Sequence, residues 1–359
     1  MNSMFRQKSA IIALFVLLLS ISSEVLTTSN AYAAANVVPG SVLTTSPIAA
    51  DLSAKPGQSV STNLQVENNG TVAETINVKL EKFKPLGNTG QATIYKPSSS
   101  DASVKWVNFS RTSFVAQPGV WNTVTATINV PDNATQGYYY AVLFEPQTGV
   151  VDTTKHETNI VKGANAIFML LNTNSANETR RLIVTNFESQ HSVYEFLPAS
   201  FNISVQNAGN IFLAPEGNIF ITRSPTGKTI DSLSFNAAGG NVLPNSSRVF
   251  QATWSDGFPV YQEKKINGEI VSGSNGQPIQ RLVWNSNSSF SKIRFGKYYA
   301  HLAFVYNNGI TNVTTNATVS FWVIPWKLIL TIIVIIAAII VGLRFLKKYT
   351  TKALNVTRK

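Results

Sequence analysis

The sequence predicts an all-β protein: two tandem immunoglobulin-like β-sandwiches, preceded by a signal peptide and followed by one transmembrane helix. Three observations predict it. Residues 40–323 consist of short apolar–polar alternations such as SVSTNLQVENNG, TINVKLEKF and NTVTATINVPDN, bounded by Gly, Pro and Asn. Alternation with period two and enrichment in Val, Ile, Thr and aromatics mark strands. The same region repeats three blocks in the same order, and both ends of the chain are apolar in a way the middle is not.

The start has the three parts of a secretory signal in order. Arg6 and Lys8 precede an apolar run at 10–21, and Ala31-Tyr32-Ala33 gives an A-x-A cleavage pattern. Residues 1–33 are therefore expected to be a signal peptide.

The repeat divides the middle. QVENNG (65–70) matches SVQNAG (204–209). VAQPG (115–119) followed by VTAT (124–127) matches VLPN (242–245) followed by FQAT (250–253). GYYYAVL (137–143) matches GKYYAHL (296–302). Three blocks in register indicate duplication of one structural unit. Sandwiches are expected over 36–176 and 179–323, joined at SANE (175–178). The second carries an insertion around 257–291, which includes a hairpin turning at Asn267-Gly268.

The third matched block fixes an expectation about the three tyrosines. It places Tyr139, Ala141 and Leu143 beside Tyr298, Ala300 and Leu302 as core residues. Tyr138 and Tyr140 then fall on the outer face, as candidates for a surface contact.

A helix is expected over 325–346. Residues 328–343 carry no charge, and the run with its flanks reaches about 20 residues, enough for a hydrocarbon core of about 30 Å. Trp322 and Trp326 suit the aromatic belt at one boundary, with Lys327 beside them. Arg344, Lys347 and Lys348 suit the cytoplasmic boundary. The basic tail 347–359 would then be cytoplasmic and the sandwiches extracellular.

Composition bounds the chemistry. The net charge is +11, but nine of the 29 basic residues sit at the two ends or beside the apolar run. Between them 20 basic residues face 17 acidic ones. No basic stripe remains to track phosphates, so no nucleic-acid partner is expected. There is no cysteine, which removes thiolate metal sites, disulfides and cysteine nucleophiles. The three histidines, His156, His191 and His301, lack metal-ligand spacing. No phosphate loop, dinucleotide fingerprint or G-x-S-x-G elbow is present. Asp101, Asp132, Glu145 and Asp152 lie near strand ends, where a carboxylate pair could assemble but turn residues are also common. No enzyme activity, cofactor or metal is expected.

The first repeat resembles the N-terminal domain of the WxL-interacting surface proteins of Gram-positive bacteria. The resemblance rests on AKPGQSVSTNLQVENNG (54–70), GNTGQATIY (87–95), Pro118-Gly119 and PDNATQGYYYAVLFE (131–145). The order of signal peptide, two β-domains, one span and a basic tail is similar too. The resemblance implies a first domain that binds peptidoglycan and a second that binds WxL proteins or host proteins. The expectation is a membrane-anchored, non-enzymatic surface protein. The alternative is an extracellular chaperone or assembly subunit that uses an exposed strand edge.

Overall fold

The computed structural model describes residues 43–147, 150–151, 160–161, 165–284 and 290–356. The expected signal peptide lies outside the described residues. Strands dominate, in two successive sandwiches.

The first sandwich holds β1 (Leu43–Ser46), β2 (Ala49–Ser53), β3 (Ser59–Asn68), β4 (Glu74–Leu86), β5 (Gln91–Tyr95), β6 (Val107–Phe109), β7 (Ser113–Ala116), β8 (Trp121–Asn129) and β9 (Tyr138–Pro146). The short β10 (Val150–Val151) and β11 (Ile160–Val161) precede β12 (Asn165–Asn172). One sheet has the order β1-β3-β8-β6. The larger has the order β2-β12-β9-β4-β5, with β7 also on β4. The chain starts in the smaller sheet, antiparallel to β3, then crosses so that β2 runs parallel to β12 in the larger one. Leu64 and Val66 of β3 and Val124, Ala126 and Ile128 of β8 point inward at alternate positions and are fully buried. Burial of each such Leu, Val or Ile contributes roughly 1.5–3 kcal/mol.

The second sandwich holds β13 (Leu182–Ser189), β14 (Val193–Tyr194), β15 (Ala199–Asn207), β16 (Glu216–Thr222), β17 (Thr229–Phe235) and β18 (Ser246–Trp254). The insertion supplies β19 (Val260–Glu263), β20 (Lys265–Ile266), β21 (Glu269–Ile270) and β22 (Gln280–Val283). β23 (Gly296–Asn307) and β24 (Asn312–Val323) complete it. The sheets are β13-β15-β18 and β14-β24-β23-β16-β17. The plan of the first sandwich recurs: β13 pairs β15, and β14 crosses to run parallel to β24. The hairpin of β20 and β21 turns at Asn267-Gly268, both in the left-handed region with φ of 54° and 88°.

The first two repeat blocks are superposable in detail. Leu64 faces Val124 in the first sandwich, and Ile203 faces Phe250 in the second. Four residues further on, each strand ends in a buried asparagine. Asn68 Nδ2 donates to the carbonyls of Val72 and Ala116 at 2.8 and 3.0 Å, and its Oδ1 accepts from Gly70 N at 2.9 Å. Asn207 Nδ2 donates to Ile211 and Val242 at 2.7 and 2.8 Å, and its Oδ1 accepts from Gly209 N at 2.8 Å. A side-chain amide with two donors and one acceptor thus stitches each tight loop to the neighbouring strand.

The third block corrects the expectation about the tyrosines. Tyr140, Val142 and Phe144 are fully buried in the first core, and Tyr298, Ala300 and Leu302 fill the second. The register between the repeats therefore differs by one residue from the sequence match. Tyr140 is no surface candidate. Tyr138 is half-buried, with its ring 4.5 Å from that of Trp106. Tyr139 and Ala141 face away from the first core. The physical reason is that β9 is apolar on both faces, so its alternation carries no phase.

The helix α1 (Trp326–Val356) follows β24 directly. Its segment Trp326–Lys347 has a mean hydropathy of 2.9, long and apolar enough to cross a membrane. The helix runs ten residues past the expected end at 346, because no Gly or Pro interrupts the stretch that follows.

Candidate binding groove between the sandwiches

Sheets at a protein surface turn a polar face to water, and the larger sheet of the first sandwich does so at Lys79 and Glu145 but not beside the second sandwich. On its outer side stand Phe83 of β4, Tyr139 and Ala141 of β9, and Phe168 and Leu170 of β12. β9 and β12 read YYYAVLF and NAIFMLLN, continuous apolar runs of the kind found where both faces are covered. The second sandwich supplies part of the cover. Phe212 and Leu243 pack on this face, with the Phe212 ring edge-on to Tyr139 at 6.3 Å. Burial raises the Tyr139 phenol well above its ordinary range.

Polar contacts fix the joint. Gly137 N donates to Asn210 O at 3.3 Å. The tip of the β4–β5 hairpin reaches β18, where Val249 N donates to Asn88 O at 2.7 Å. Asn241 Nδ2 donates to both oxygens of Asp51 at 3.1 Å. The connecting segment is pinned as well. Thr179 N donates to Asn210 Oδ1, and the Glu178 carboxylate is buried against Arg180 at 2.9 Å.

The cover is incomplete. Beside the joint a groove of about 810 Å³ runs over the same apolar face, within the size range of ligand sites. Ile48 and Leu86 stand exposed on its rim, and Phe83, Phe168 and Leu170 line its wall. Arg248 closes the polar side. Its guanidinium lies 5.2 Å over the Phe250 ring and donates to Asn241 O at 2.9 Å. It fits because Gly90 and Gly240 flank it: a Cβ on either would come within 2.7 Å of the guanidinium. Burial lowers its pKa, yet a guanidinium stays charged at any ordinary pH. The site therefore offers an apolar wall, one fixed cation with spare donors and, bonded to the same Asn241, Asp51. It has no nucleophile–base pair.

A second polar cluster lies inside the first sandwich. Lys82 is buried, with Nζ 3.0 Å from Ser103 Oγ, 3.4 Å from Asp101 and 4.7 Å over the Tyr140 ring. Tyr140 Oη donates to Ser103 O at 3.2 Å. Burial pushes Lys82 down, against the pull of Asp101. Burial also pushes Asp101 up, but hydrogen bonds from Ser103 and the Lys82 charge outweigh it and hold the carboxyl below the ordinary 3.8. Ser103 is itself buried and opens on no groove, so the cluster closes the end of the core.

The sign of that shift gives a prediction. A depressed carboxyl contributes stability above its unfolded value, and loses it as pH falls through the folded one. Asp101→Asn is expected to cost about 1–2 kcal/mol at neutral pH. The gap to the parent should close below about pH 4. Thermal unfolding across pH checks this; a gap that persists unchanged at low pH contradicts it.

The other carboxylates do not converge. Asp132 is an exposed turn residue, and Glu145 pairs with Lys79 at 2.5 Å. Asp152 and His156 lie outside the described residues. His301 bridges two strands, with Nε2 3.0 Å from Thr222 Oγ1 and Nδ1 3.0 Å from Thr318 Oγ1. His191 rests edge-on to Tyr194. Among the described residues no His, Asp and Glu group could hold a metal ion.

The expected anchor residues sit at the two ends of the span. Trp322 is the last but one residue of β24, Trp326 and Lys327 begin α1, and Arg344 and Lys347 lie near the far end. The side chain of Lys348 lies outside the described residues. Sequence reasoning missed the groove, although the doubly apolar β9 and β12 were its signal.

No family model matches the chain, and no curated protein matches it. Solved structures do. A class 5 fimbriae chaperone, CfaA, shares 14% identity over 76% of this chain and 98% of its own, with a TM-score of 0.36. The chaperone YadV shares 12% over 77% and 100%, at 0.32. A Salmonella enterica SafA pilin–SafB chaperone complex gives 8% over 77% and 96%, at 0.34. At such scores neither function nor partner is inferred from them.

Proposed function

We propose that this chain is a non-enzymatic surface protein. It is anchored by α1, with its sandwiches outside the membrane and the basic end of the helix in the cytoplasm. It holds a partner polypeptide of the cell envelope in the groove between the sandwiches, in an assembly or chaperone role. One observation carries this reading: the outer face of the larger sheet is apolar, half-covered, and bordered by a fixed arginine. An apolar wall suits side chains of a polypeptide, and a buried guanidinium suits a carboxylate. Beside the groove, β5 ends its sheet with no further strand among the described residues, an edge that an extended segment could join. The resemblance to WxL-interacting proteins supports a WxL-type partner. Peptidoglycan is the second reading, favoured by the charges of Arg248 and Asp51 in the groove lining, which match the charged groups of stem peptides.

The test uses the full chain in nanodiscs, with purified sacculi and WxL-type surface proteins as separate probes. Arg248→Ala and Leu86→Asp, one on the polar and one on the apolar lining of the groove, should each weaken capture of the protein by about tenfold or more. Protein binding unaffected by both variants overturns the groove. Binding to sacculi alone, lost in both, replaces the polypeptide with peptidoglycan.

A further inference from the structure

The insertion of the second sandwich emerges at the end where the membrane span begins. β24 runs toward α1, and its last residue Val323 pairs with Gly296 and Tyr194. Gly296 is the exit of the insertion. At its entry, Trp254 pairs with Ala199 just beyond the crossing segment 195–198. Both roots therefore lie at the lipid-facing end, opposite the loops around Phe212 and Asn241 that meet the first sandwich.

Little slack separates this end from the span. Trp322 N donates to Ser192 O and Ile324 N to Tyr194 O, so hydrogen bonding holds to within two residues of the helix. Lys327, in the first helical turn, places Nζ 2.7 Å from Glu195 Oε2. The same carboxylate oxygen accepts from Tyr261 Oη of β19 at 3.0 Å. Val260 bridges Leu197 in parallel, and Tyr261 N donates to Leu197 O. The root of the insertion thus follows the crossing segment across the sandwich end and is clamped to the start of the helix.

Its surface is apolar for an exposed ribbon. Ile266, Ile270, Trp284, Ile293 and Phe295 are each 45–57% exposed, and Trp322 beside them is 43% exposed. With its flanks the segment carries Lys264, Lys265, Arg281, Lys292 and Arg294 against Asp256, Glu263 and Glu269, and Lys292 and Arg294 both pair with Asp256, at 2.5 and 2.7 Å. Aromatic rings, aliphatic tips and a basic excess are the composition of protein surfaces that lie at headgroup depth.

We propose that this insertion is a second membrane contact. It lies in the headgroup layer beside α1 and fixes the angle at which the sandwiches stand. The occupant of its apolar surface is the bilayer, continuous with the boundary that Trp326 and Lys327 mark. The proposal rests on the reading of α1 as a membrane span.

The chain has no cysteine, so single labels are clean. Lys265→Cys in the hairpin, Thr311→Cys at the opposite end of the sandwich and Ile336→Cys in α1 would each carry a nitroxide. The full chain would be reconstituted in vesicles of phosphatidylglycerol and phosphatidylcholine. The label at 336 should collide with dissolved oxygen and be shielded from an aqueous nickel chelate. The label at 265 should show an intermediate ratio, with chelate accessibility reduced about fivefold relative to 311. Adding Ile266→Asp and Ile270→Asp should return it to the aqueous value. Labels at 265 and 311 that behave alike, with 336 buried in lipid, overturn the second contact alone. An aqueous label at 336 overturns the span and this proposal with it.

Discussion

Tyr140→Ala is expected to destabilise the first sandwich by about 3–5 kcal/mol, the cost of removing a large ring from a close-packed core. The ring is fully buried among Val142, Phe144 and Ile167. Its hydroxyl satisfies Ser103 O, and its face lies 4.7 Å beneath the Lys82 ammonium. Removal leaves a cavity, a carbonyl without its donor and a buried cation without its aromatic neighbour. Domains of this size hold about 5–15 kcal/mol in all, so the variant sits close to unfolding. Tyr138→Ala removes a half-buried ring that meets Trp106 edge-on, and should cost about 1 kcal/mol. Hydrogen exchange resolved by segment tests the contrast. β3 and β9 should lose protection in the Tyr140 variant while β15 and β23 keep theirs. Equal losses in the two tyrosine variants would contradict the observed register.

Asn207→Ala should cost about 3 kcal/mol or more, since it strands three buried backbone partners at once. Those partners are the carbonyls of Ile211 and Val242 and the amide of Gly209. Asn68→Ala removes the matching set in the first sandwich and should cost a similar amount. The two variants should differ in function. The loop that Asn207 closes delivers Asn210 and Phe212 to the joint, whereas Asn68 and Asn69 of the other loop bond to Val72, Ala116 and Thr44 of their own sandwich. Partner capture should fall in the Asn207 variant beyond what partial unfolding explains, and hold in the folded fraction of the Asn68 variant. Urea titration monitored by hydrogen exchange, with capture measured on the same samples, separates the two effects.

These residues also show what a sequence discloses about such a chain. Alternation in β3, β8, β15 and β18 places their core residues, because one face is polar and the pattern has a phase. The same reasoning fails at β9. There Tyr139 and Ala141 are covered by another sandwich, so every position from 138 to 144 is apolar and the motif GYYYAVL matches GKYYAHL one residue out of step. The groove was hidden for a related reason. Its wall comes from β4, β5 and β12, and its cation from β18 of the other sandwich, with no motif linking them. The Asn267-Gly268 hairpin was legible because two adjacent residues suffice to specify that turn. That the insertion is rooted at the end of the sandwich where α1 begins needed the strand directions that only the fold supplies.

The parallel course of β14 beside β24 has a mechanical consequence. Tension along the chain between the first sandwich and α1 enters the second sandwich where β13 begins and leaves through the end of β24. Pulled that way, the first and last strands slide lengthwise past their neighbours, and the twelve-residue ladder of β23 and β24 bears load across many rungs together. An opening from one end would instead break those rungs one after another. The strand order thus suits a domain that stays folded when pulled by its two ends.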